Sequence, residues 1–213
     1  MVSRARRAPD IVLGSGSPRR RHFLEQLGIE FRVVAPDIDE TPLSDETPTE
    51  YVLRLAVGKA GAVADLIGPA TPAPTLVIAA DTIVARGSQL LGKPVDPTEA
   101  ASMLRQLSGA THHVHTGVAI QAVSGHQPPG ASTCHSSVCS TEVTFTTLTE
   151  ADIAWYVASG EPMGKAGAYG IHALAGRFVE SISGNYQSVV GLPLTTLDQL
   201  LVAHGTSLTE LST

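Results

Sequence analysis

The chain has 213 residues and a formal charge of −6 at pH 7, which suits one large domain or two small lobes. Hydrophobic residues at 43% with only 4% aromatics are typical of a soluble α/β protein, and the net negative charge argues against a general nucleic-acid binder, which needs an extended basic face. No apolar run is long enough to cross a membrane or to form a signal-peptide core, so we predict a cytoplasmic protein.

The first third of the chain predicts two strands and two helices. "DIVLGS" predicts a strand, and Pro18 suits the first turn of a helix through "RRRHFLEQL" that Gly28 ends. "IEFRVVA" predicts a second strand. After a polar loop, Thr47 and Glu50 have the spacing of a capping box, which predicts a helix that continues to about Ile67.

The middle of the chain predicts a buried strand, a hairpin and a third helix. "TLVIAAD" has the continuous apolar composition of a buried strand, and we expect this strand to end at Asp81. "TIVARGSQLLG" is then expected to form a hairpin that turns at Gly87 and Ser88. Asp96 suits the start of a helix that Gly109 ends.

The remaining residues predict three strands, two helices and an irregular segment. "HHVHTGVAIQAV" and "HSSVCSTEVTFTTL" predict strands joined by the surface loop "SGHQPPGAST". Thr149 begins a predicted helix that reaches about Ser159, and "GKAGAYGIHALAG" is too rich in glycine and alanine for regular structure. "RFVESISG" predicts a strand, and Pro193 opens a final helix.

The order of these elements predicts an α/β fold. Strands that pair as hairpins, mixed with crossover helices, imply a mixed twisted sheet with flanking helices and a cleft. We expect one domain at residues 10–204, a flexible N-terminus at 1–9 and a C-terminal tail at 205–213.

The stretch "GSGSPRRR" concentrates positive charge where the first strand meets the first helix. Backbone amides at a helix N-terminus form a ready anion site, and Arg19 and Arg20 would add donors that match phosphate oxygens. The stretch is not a P-loop, because it lacks the G-K-[ST] ending. A solvated basic first turn is an equally good interpretation of this segment alone.

Three further side chains suit the same site. Asp81 is expected at the carboxyl end of a strand, where open α/β sheets bind ligands, although it could also be a polar strand cap. Lys93 lies on the stiff loop "LGKPV", and Glu40 lies in the acidic loop "DIDE". Carboxylates combined with lysine and arginines are the groups that metal-assisted attack of water on a polyphosphate requires.

The motifs of the chain resemble those of the Maf family of nucleoside triphosphate pyrophosphatases. The matching segments run from about residue 10 to residue 200 and are "SGSPRRR", "AADTIV", "LGKP", "MLRQLSG", "TGVAI", "EPMGKAGAYGI" and "SVVGLPL". The resemblance implies a two-lobed Maf/Ham1-like fold around a deep cleft, often dimeric. It also implies cleavage of a nucleoside triphosphate to the monophosphate and pyrophosphate with a divalent metal.

The resemblance assigns roles to individual residues. In the family a basic turn and a lysine bind phosphates, and the matching residues here are Ser15, Arg19, Arg20 and Lys93. Asp81 matches the proposed proton acceptor, and Glu40 and Lys59 match an early-loop glutamate and a lysine on the second helix. The implied mechanism has Mg²⁺ or Mn²⁺ held by Asp81 and Glu40. The charge of the transferring phosphates is stabilised by four basic side chains, Arg19, Arg20, Lys59 and Lys93.

Base preference is expected to depend on three positions. Thr82, in "ADT", and "KAGAYGI" resemble the subfamily that acts on dTTP and UTP, in which an arginine matching Arg19 also affects selectivity. The subfamily usually has a glutamine where this chain has His172. A neutral imidazole also offers one donor and one acceptor, but in a different geometry.

Two other functions compete with this one. The chain could be a nucleotide-binding regulator of cell division with weak or no turnover, although simple binding would not need a carboxylate facing polyphosphate. It could also be a nucleic-acid binder that uses its basic turn, but its acidity and its few aromatic residues argue against this.

Overall fold

The computed structural model describes residues 8–68, 74–123 and 133–212. The predicted loop at 124–133, apart from its last residue, and residues 1–7 of the predicted N-terminal segment lie outside these ranges. The described strands are β1 Asp10–Leu13, β2 Phe31–Val33, β3 Thr75–Arg86, β4 Gln89–Leu91, β5 Thr111–Val123, β6 Cys134–Phe145 and β7 Val179–Ser183. The described helices are α1 Pro18–Gln26, α2 Pro48–Ile67, α3 Pro97–Leu107, α4 Glu150–Ala158, α5 Tyr186–Val190, α6 Leu194–Ala203 and α7 Leu208–Leu211.

The seven described strands form one mixed sheet in the order β2-β1-β3-β5-β6-β7, with β4 paired to β3. β1 pairs in parallel with both β2 and β3. β3, β5, β6 and β7 pair antiparallel with one another in turn. The predicted α/β fold with a mixed sheet and flanking helices is confirmed.

Most helix starts follow from local capping chemistry. Thr47 accepts a hydrogen bond from the backbone N–H of Glu50 and forms the predicted capping box. Asp96 caps α3 by accepting from the backbone N–H of Glu99. Gly28 follows α1 with a φ of 68°, a left-handed conformation that ends a helix at little cost only in glycine.

The predicted end of the third strand is wrong. β3 does not stop at Asp81 but continues to Arg86, so Asp81 lies in its interior. The polar pair Asp81 and Thr82 interrupts the apolar run, yet β3 stays paired with β5 from Thr75 to Ala85. Long-range pairing therefore overrides the local sequence signal.

Two cores lie on either side of the cleft. In the first, alternate residues of the sheet pack against different helices: the set with Leu13, Ile78 and Ile120 contacts α1 and α6, and the set with Val12, Val77 and Ala119 contacts α2. The second core joins α3, α4 and the glycine-rich segment around Phe145 and Tyr156. The far half of β3 contributes Val84 to this second core.

Two short helices, α5 and α7, were not predicted, although Asn185 and Ser207 cap them. α5 is a single short turn between β7 and α6, and the segment after residue 204 contains α7, whose Leu211 is buried. The predicted irregular segment carries two 3₁₀ turns, Ala166–Ala168 and Leu174–Phe178. Among the described helices, none is both long and apolar enough to cross a bilayer.

Candidate active site

An opening in the sheet places the site. β1 pairs with β3 only as far as Leu13 opposite Ile78, and β4 joins the same side of β3 only at Val84. Between these points the chain leaves β1 through Gly14, whose N–H donates to the carbonyl of Ile78 at 2.7 Å. Asp81 and Thr82 therefore face a cleft, although they lie inside a strand.

The predicted site residues all line this cleft, whose volume is about 320 Å³. They come from the basic turn, the acidic loop, α2, β3, the loop after β4 and the second lobe. These residues are Ser15, Arg19, Arg20, Glu40, Lys59, Asp81, Thr82, Lys93 and His172. The structure thus brings together every residue that the sequence nominated, and the role of each stays a prediction.

Lys59 joins the two carboxylates of the cleft. Its Nζ lies 2.6 Å from Oδ1 of Asp81 and 2.6 Å from Oε1 of Glu40. Lys59 lies on the same buried face of α2 as Val52 and Val63, and is itself only 8% exposed. A lysine on an apolar helical face needs an anionic partner, because an unpaired buried charge is strongly destabilising.

Close packing of α2 on the sheet brings Lys59 to Asp81. The residue opposite Asp81 on β5 is Gly117. A Cβ at Gly117 would lie 2.3 Å from the carbonyl oxygen of Val52, so only glycine lets the helix approach this closely. Lys59 follows Val52 by seven residues, two turns along the same face of the helix.

The acidic loop is held against α2. The hydroxyl of Tyr51 donates to the backbone carbonyl of Glu40 at 2.9 Å, and burial followed by the charges of Asp81 and Glu40 raises the pKa of Tyr51 to about 12. Burial also tends to raise the pKa of the Glu40 carboxyl, but the hydrogen bond and charge of Lys59, with the charges of Lys93 and Arg20, outweigh it and lower that pKa. Glu40 is therefore ionised at neutral pH.

Arg20 is more deeply buried than a solvated basic turn would allow. Its Nε donates to the carbonyl of Gly191 at 2.8 Å, and its terminal nitrogens donate to Ser15 Oγ at 2.9 Å and Thr82 Oγ1 at 3.1 Å. Burial lowers its pKa to about 10, against the opposing effect of Asp81. Three of its five N–H donors are thus committed to the protein itself.

Thr82 continues a directed chain of hydrogen bonds. Thr116 Oγ1 donates its single proton to the carbonyl of Ser188 at 2.7 Å, so it accepts from Thr82 Oγ1 at 2.9 Å. Thr82 in turn accepts from Arg20. The Thr82 hydroxyl is therefore fixed by protein partners on both sides.

Arg19 differs from its neighbour. Within the described chain its hydrogen bond is from Nε to the carbonyl of Val190, at 3.2 Å. The terminal nitrogens of this half-buried side chain remain for a ligand in the cleft. Burial lowers its pKa from the usual arginine value, but it stays charged at neutral pH.

The second lobe contributes residues that the sequence analysis did not single out, chiefly Lys165 and Tyr169. Lys165 Nζ donates to the backbone carbonyl of Glu161. Its stem lies over Gly170, where a Cβ would be 3.0 Å from Lys165 Cε and 3.2 Å from His172 Cε1. The sequence feature that could have pointed to Lys165 is its position between glycines in "MGKAGAYG".

Tyr169 is held from the core side of the second lobe. Its hydroxyl lies 2.9 Å from Nε2 of His112. His112 is fully buried, and burial lowers its pKa to about 4. This neutral histidine belongs to the core and fixes one wall of the cleft.

The carboxylates suit a hard divalent cation. Within the described residues no group of three or more His, Cys, Asp or Glu side chains could hold a metal ion. Asp81 and Glu40 each give one oxygen to Lys59, and no hydrogen bond from the described residues engages the second oxygen of either. Mg²⁺ commonly uses one or two carboxylates and completes its shell with water and substrate phosphates, so this pair fits Mg²⁺ or Mn²⁺.

Comparison with known families identifies the family of this chain. A family model described as "Maf-like protein" matches residues 10–204. The chain belongs to the Maf family. The family resemblance drawn from the sequence motifs is therefore confirmed, and the matched residues include those of both lobes.

Curated relatives of this Maf chain share a name. The "dTTP/UTP pyrophosphatase" of Shewanella denitrificans is 51% identical over 90% of this chain and 94% of its own length. Proteins of that name from Vibrio cholerae and Pelotomaculum thermopropionicum are 48% and 47% identical, covering 90% and 92% of this chain and 96% and 97% of their own. Among solved structures, the Ham1 protein of Staphylococcus aureus matches 63% of this chain and 72% of its own at 17% identity, with a TM-score of 0.37 that carries no argument.

Proposed function

We propose that this Maf protein hydrolyses nucleoside triphosphates, dTTP and UTP in particular, to the nucleoside monophosphate and pyrophosphate. The names of its curated relatives support this substrate class. The observation that carries the proposal is the cleft itself, in which five cationic side chains surround a carboxylate pair. Such a concentration of positive charge suits a polyphosphate.

The phosphates are bound from the basic turn and from the loop after β4. The free terminal nitrogens of Arg19 and the ammonium of Lys93 act on phosphate oxygens as preorganised cations. Arg20 acts differently, because it ties Ser15, Thr82 and Gly191 together. Its main contribution is to hold the turn in its binding geometry.

Asp81 is the proton acceptor for the attacking water. It is buried at the base of the cleft, and Lys59 fixes one of its oxygens. Water adds to the α-phosphorus, the bond from that phosphorus to the α–β bridging oxygen breaks, and pyrophosphate leaves while Asp81 takes the proton. Mg²⁺ or Mn²⁺ held by Asp81 and Glu40 would offset the charge of the phosphates and lower the pKa of the water.

His172 takes part in base selection, with Arg19 and Thr82 as the other specificity residues. Its ring lies beside Gly170 and Lys165 in the second lobe, across the cleft from the basic turn. Burial, followed by the charges of Arg19 and Lys165, lowers the pKa of its imidazole. A neutral ring at pH 7 offers one donor and one acceptor to a pyrimidine edge.

The deciding experiment is a product analysis. The purified protein is incubated with a panel of ribo- and deoxyribonucleoside triphosphates and Mg²⁺ or Mn²⁺, and the products are separated by anion-exchange chromatography. We expect equal amounts of monophosphate and pyrophosphate, with dTTP and UTP turned over faster than purine nucleotides. Release of a nucleoside diphosphate and orthophosphate would contradict the proposed bond cleavage.

The product analysis, together with a measurement of nucleotide binding, tests the alternative function. Tight nucleotide binding without turnover would favour a nucleotide-binding regulator of cell division over an enzyme. A cytoplasmic location and a homodimer also stay predictions, and cell fractionation and light scattering test them directly.

A further inference from the structure

Lys59 already occupies the position from which a cation would bridge the two cleft carboxylates. Its Nζ lies 2.6 Å from an oxygen of each. The Asp81 and Lys59 side chains are both largely buried, so water screens their attraction only weakly. Before any ligand binds, the negative charge that would attract a metal ion is therefore largely neutralised by the protein itself.

The remaining charges of the cleft act in the same direction. Its charged lining contains two carboxylates, from Glu40 and Asp81, against five cations. These cations are Arg19, Arg20, Lys59, Lys93 and Lys165. A divalent cation that enters alone meets net repulsion, whereas a nucleoside triphosphate brings several negative charges with it.

We propose that Lys59 prevents the free enzyme from binding a divalent cation, so that the metal ion enters only together with the nucleotide. Phosphate oxygens give the Lys59 ammonium a new anionic partner and release one oxygen of each carboxylate. The inference rests on the proposed function, because it takes a nucleotide as the group that releases Lys59. Lys59 thus offsets the charge of the two carboxylates until the phosphates arrive and then binds those phosphates.

The test measures Mn²⁺ binding by electron paramagnetic resonance, without turnover. The native protein alone should show no saturable Mn²⁺ site, and addition of α,β-imido dUTP should create one beyond the Mn²⁺ that the nucleotide binds by itself. Lys59→Met keeps the length of the side chain and removes its charge. This variant should bind Mn²⁺ without nucleotide at least about tenfold more tightly than the native protein.

Two matched variants distinguish the effect of the Lys59 ammonium between the two carboxylates from the effect of the overall positive charge of the cleft. Lys93→Met removes another cleft cation, one that acts on Glu40 through charge and forms no ion pair in the described structure. We expect it to raise Mn²⁺ affinity much less than Lys59→Met does. The double variant Lys59→Met with Asp81→Asn should lose the gained Mn²⁺ site. Circular dichroism confirms that each variant is folded, and Lys59→Gln replaces Lys59→Met if the latter does not fold.

Two results would overturn the inference. One is a native free enzyme that binds Mn²⁺ as tightly as Lys59→Met; the other is an equal gain in affinity from Lys93→Met. Either result leaves the proposed function intact if the native protein still releases pyrophosphate from dTTP. Failure of the hydrolysis assay, with the Mn²⁺ results as expected, would instead reject the enzymatic proposal alone.

Discussion

The two adjacent arginines of the basic turn should respond very differently to substitution. Arg20→Ala removes three hydrogen bonds: one to Ser15 within the turn, one to Thr82 on β3 and one to Gly191 in the loop after α5. Each bond to a charged group is worth about 1.5–3 kcal/mol, but the guanidinium also loses the free-energy penalty of its burial, so the effects do not add. We expect a net loss of about 3 kcal/mol in unfolding free energy.

That loss corresponds to a fall in Tm of about 6–12 °C for a chain of this size. Arg19→Ala is the matched control, because it removes a single longer bond, of 3.2 Å to Val190. This bond is long and Arg19 is only half-buried, so water can replace it, and its loss should lower the unfolding free energy by less than about 1 kcal/mol. In contrast, we expect Arg19→Ala to reduce kcat/KM for dTTP at least about tenfold, since charged hydrogen bonds to the phosphates are lost.

Thermal unfolding by circular dichroism and steady-state kinetics on the same preparations measure both quantities. Arg20→Lys adds a second control: it keeps the charge, but an ammonium cannot reach three acceptors that lie around a planar fork. It should therefore lose most of the stability that Arg20→Ala loses. Equal Tm changes for Arg19→Ala and Arg20→Ala would refute the division of work between the two arginines.

Three further changes test the rest of the site. Asp81→Asn should remain folded and lose turnover about a hundredfold or more, because an amide cannot accept the proton of water; near-normal rates would make Asp81 a structural residue only. His172→Gln should change the relative kcat/KM for pyrimidine and purine nucleotides severalfold, about 1 kcal/mol. Burial and two nearby cations lower the pKa of this histidine, so it is neutral at pH 7 and becomes protonated only as pH falls below about 6.5. The base selectivity of the native enzyme should therefore change between pH 7 and 5. The same pH profile of selectivity in His172→Gln would argue against contact between His172 and the base. Gly117→Ala should cost about 1–3 kcal/mol of stability and impair catalysis, because the new methyl group would meet the carbonyl of Val52 at 2.3 Å. The control is Gly61→Ala on α2, where a new Cβ meets nothing within 4 Å and should stabilise by about 0.5–1 kcal/mol. Equal effects of the two glycine variants on Tm would reject the close-approach argument.

Local signals predicted where α2 and α3 begin. The capping box at Thr47 and Glu50 and the N-cap at Asp96 act through hydrogen bonds between residues three positions apart, so the sequence contains all the partners. α5 has only five residues and forms between elements that are fixed by distant contacts. Its cap is local, because Asn185 accepts a hydrogen bond from the backbone N–H of Ser188, but five residues are too few for an apolar pattern to identify a helix.

The residues of the site could be predicted from the sequence, but the different contacts that each of them makes could not. Each motif nominated its residue, and the cleft lining contains all of them. The sequence treated Arg19 and Arg20 alike, because nothing local shows that one meets the carbonyl of Gly191, more than 170 positions away. Lys165 was missed for a related reason: its place in the cleft depends on how the second lobe faces the first.

The register of β3 explains why two helices can serve one site. Asp81 and Thr82 are consecutive in a strand, so their side chains point to opposite faces of the sheet. α2 supplies Lys59 to Asp81 on one face, and α1 supplies Arg20 to Thr82 on the other.

The neighbouring strand, β5, carries a suitable residue opposite each of these two side chains. Gly117 lies opposite Asp81 and lets α2 approach, whereas Thr116 lies opposite Thr82 and continues its hydrogen-bond chain to Ser188. A slip of one residue between β3 and β5 would either place Thr116 opposite Asp81, with Gly117 opposite Ala80, or place Gly117 opposite Thr82, according to its direction. In the first case a side chain would block the helix, and in the second Thr82 would lose its partner. The chemistry of the cleft therefore depends on a strand register that the eleven-residue ladder from Thr75 to Ala85 enforces.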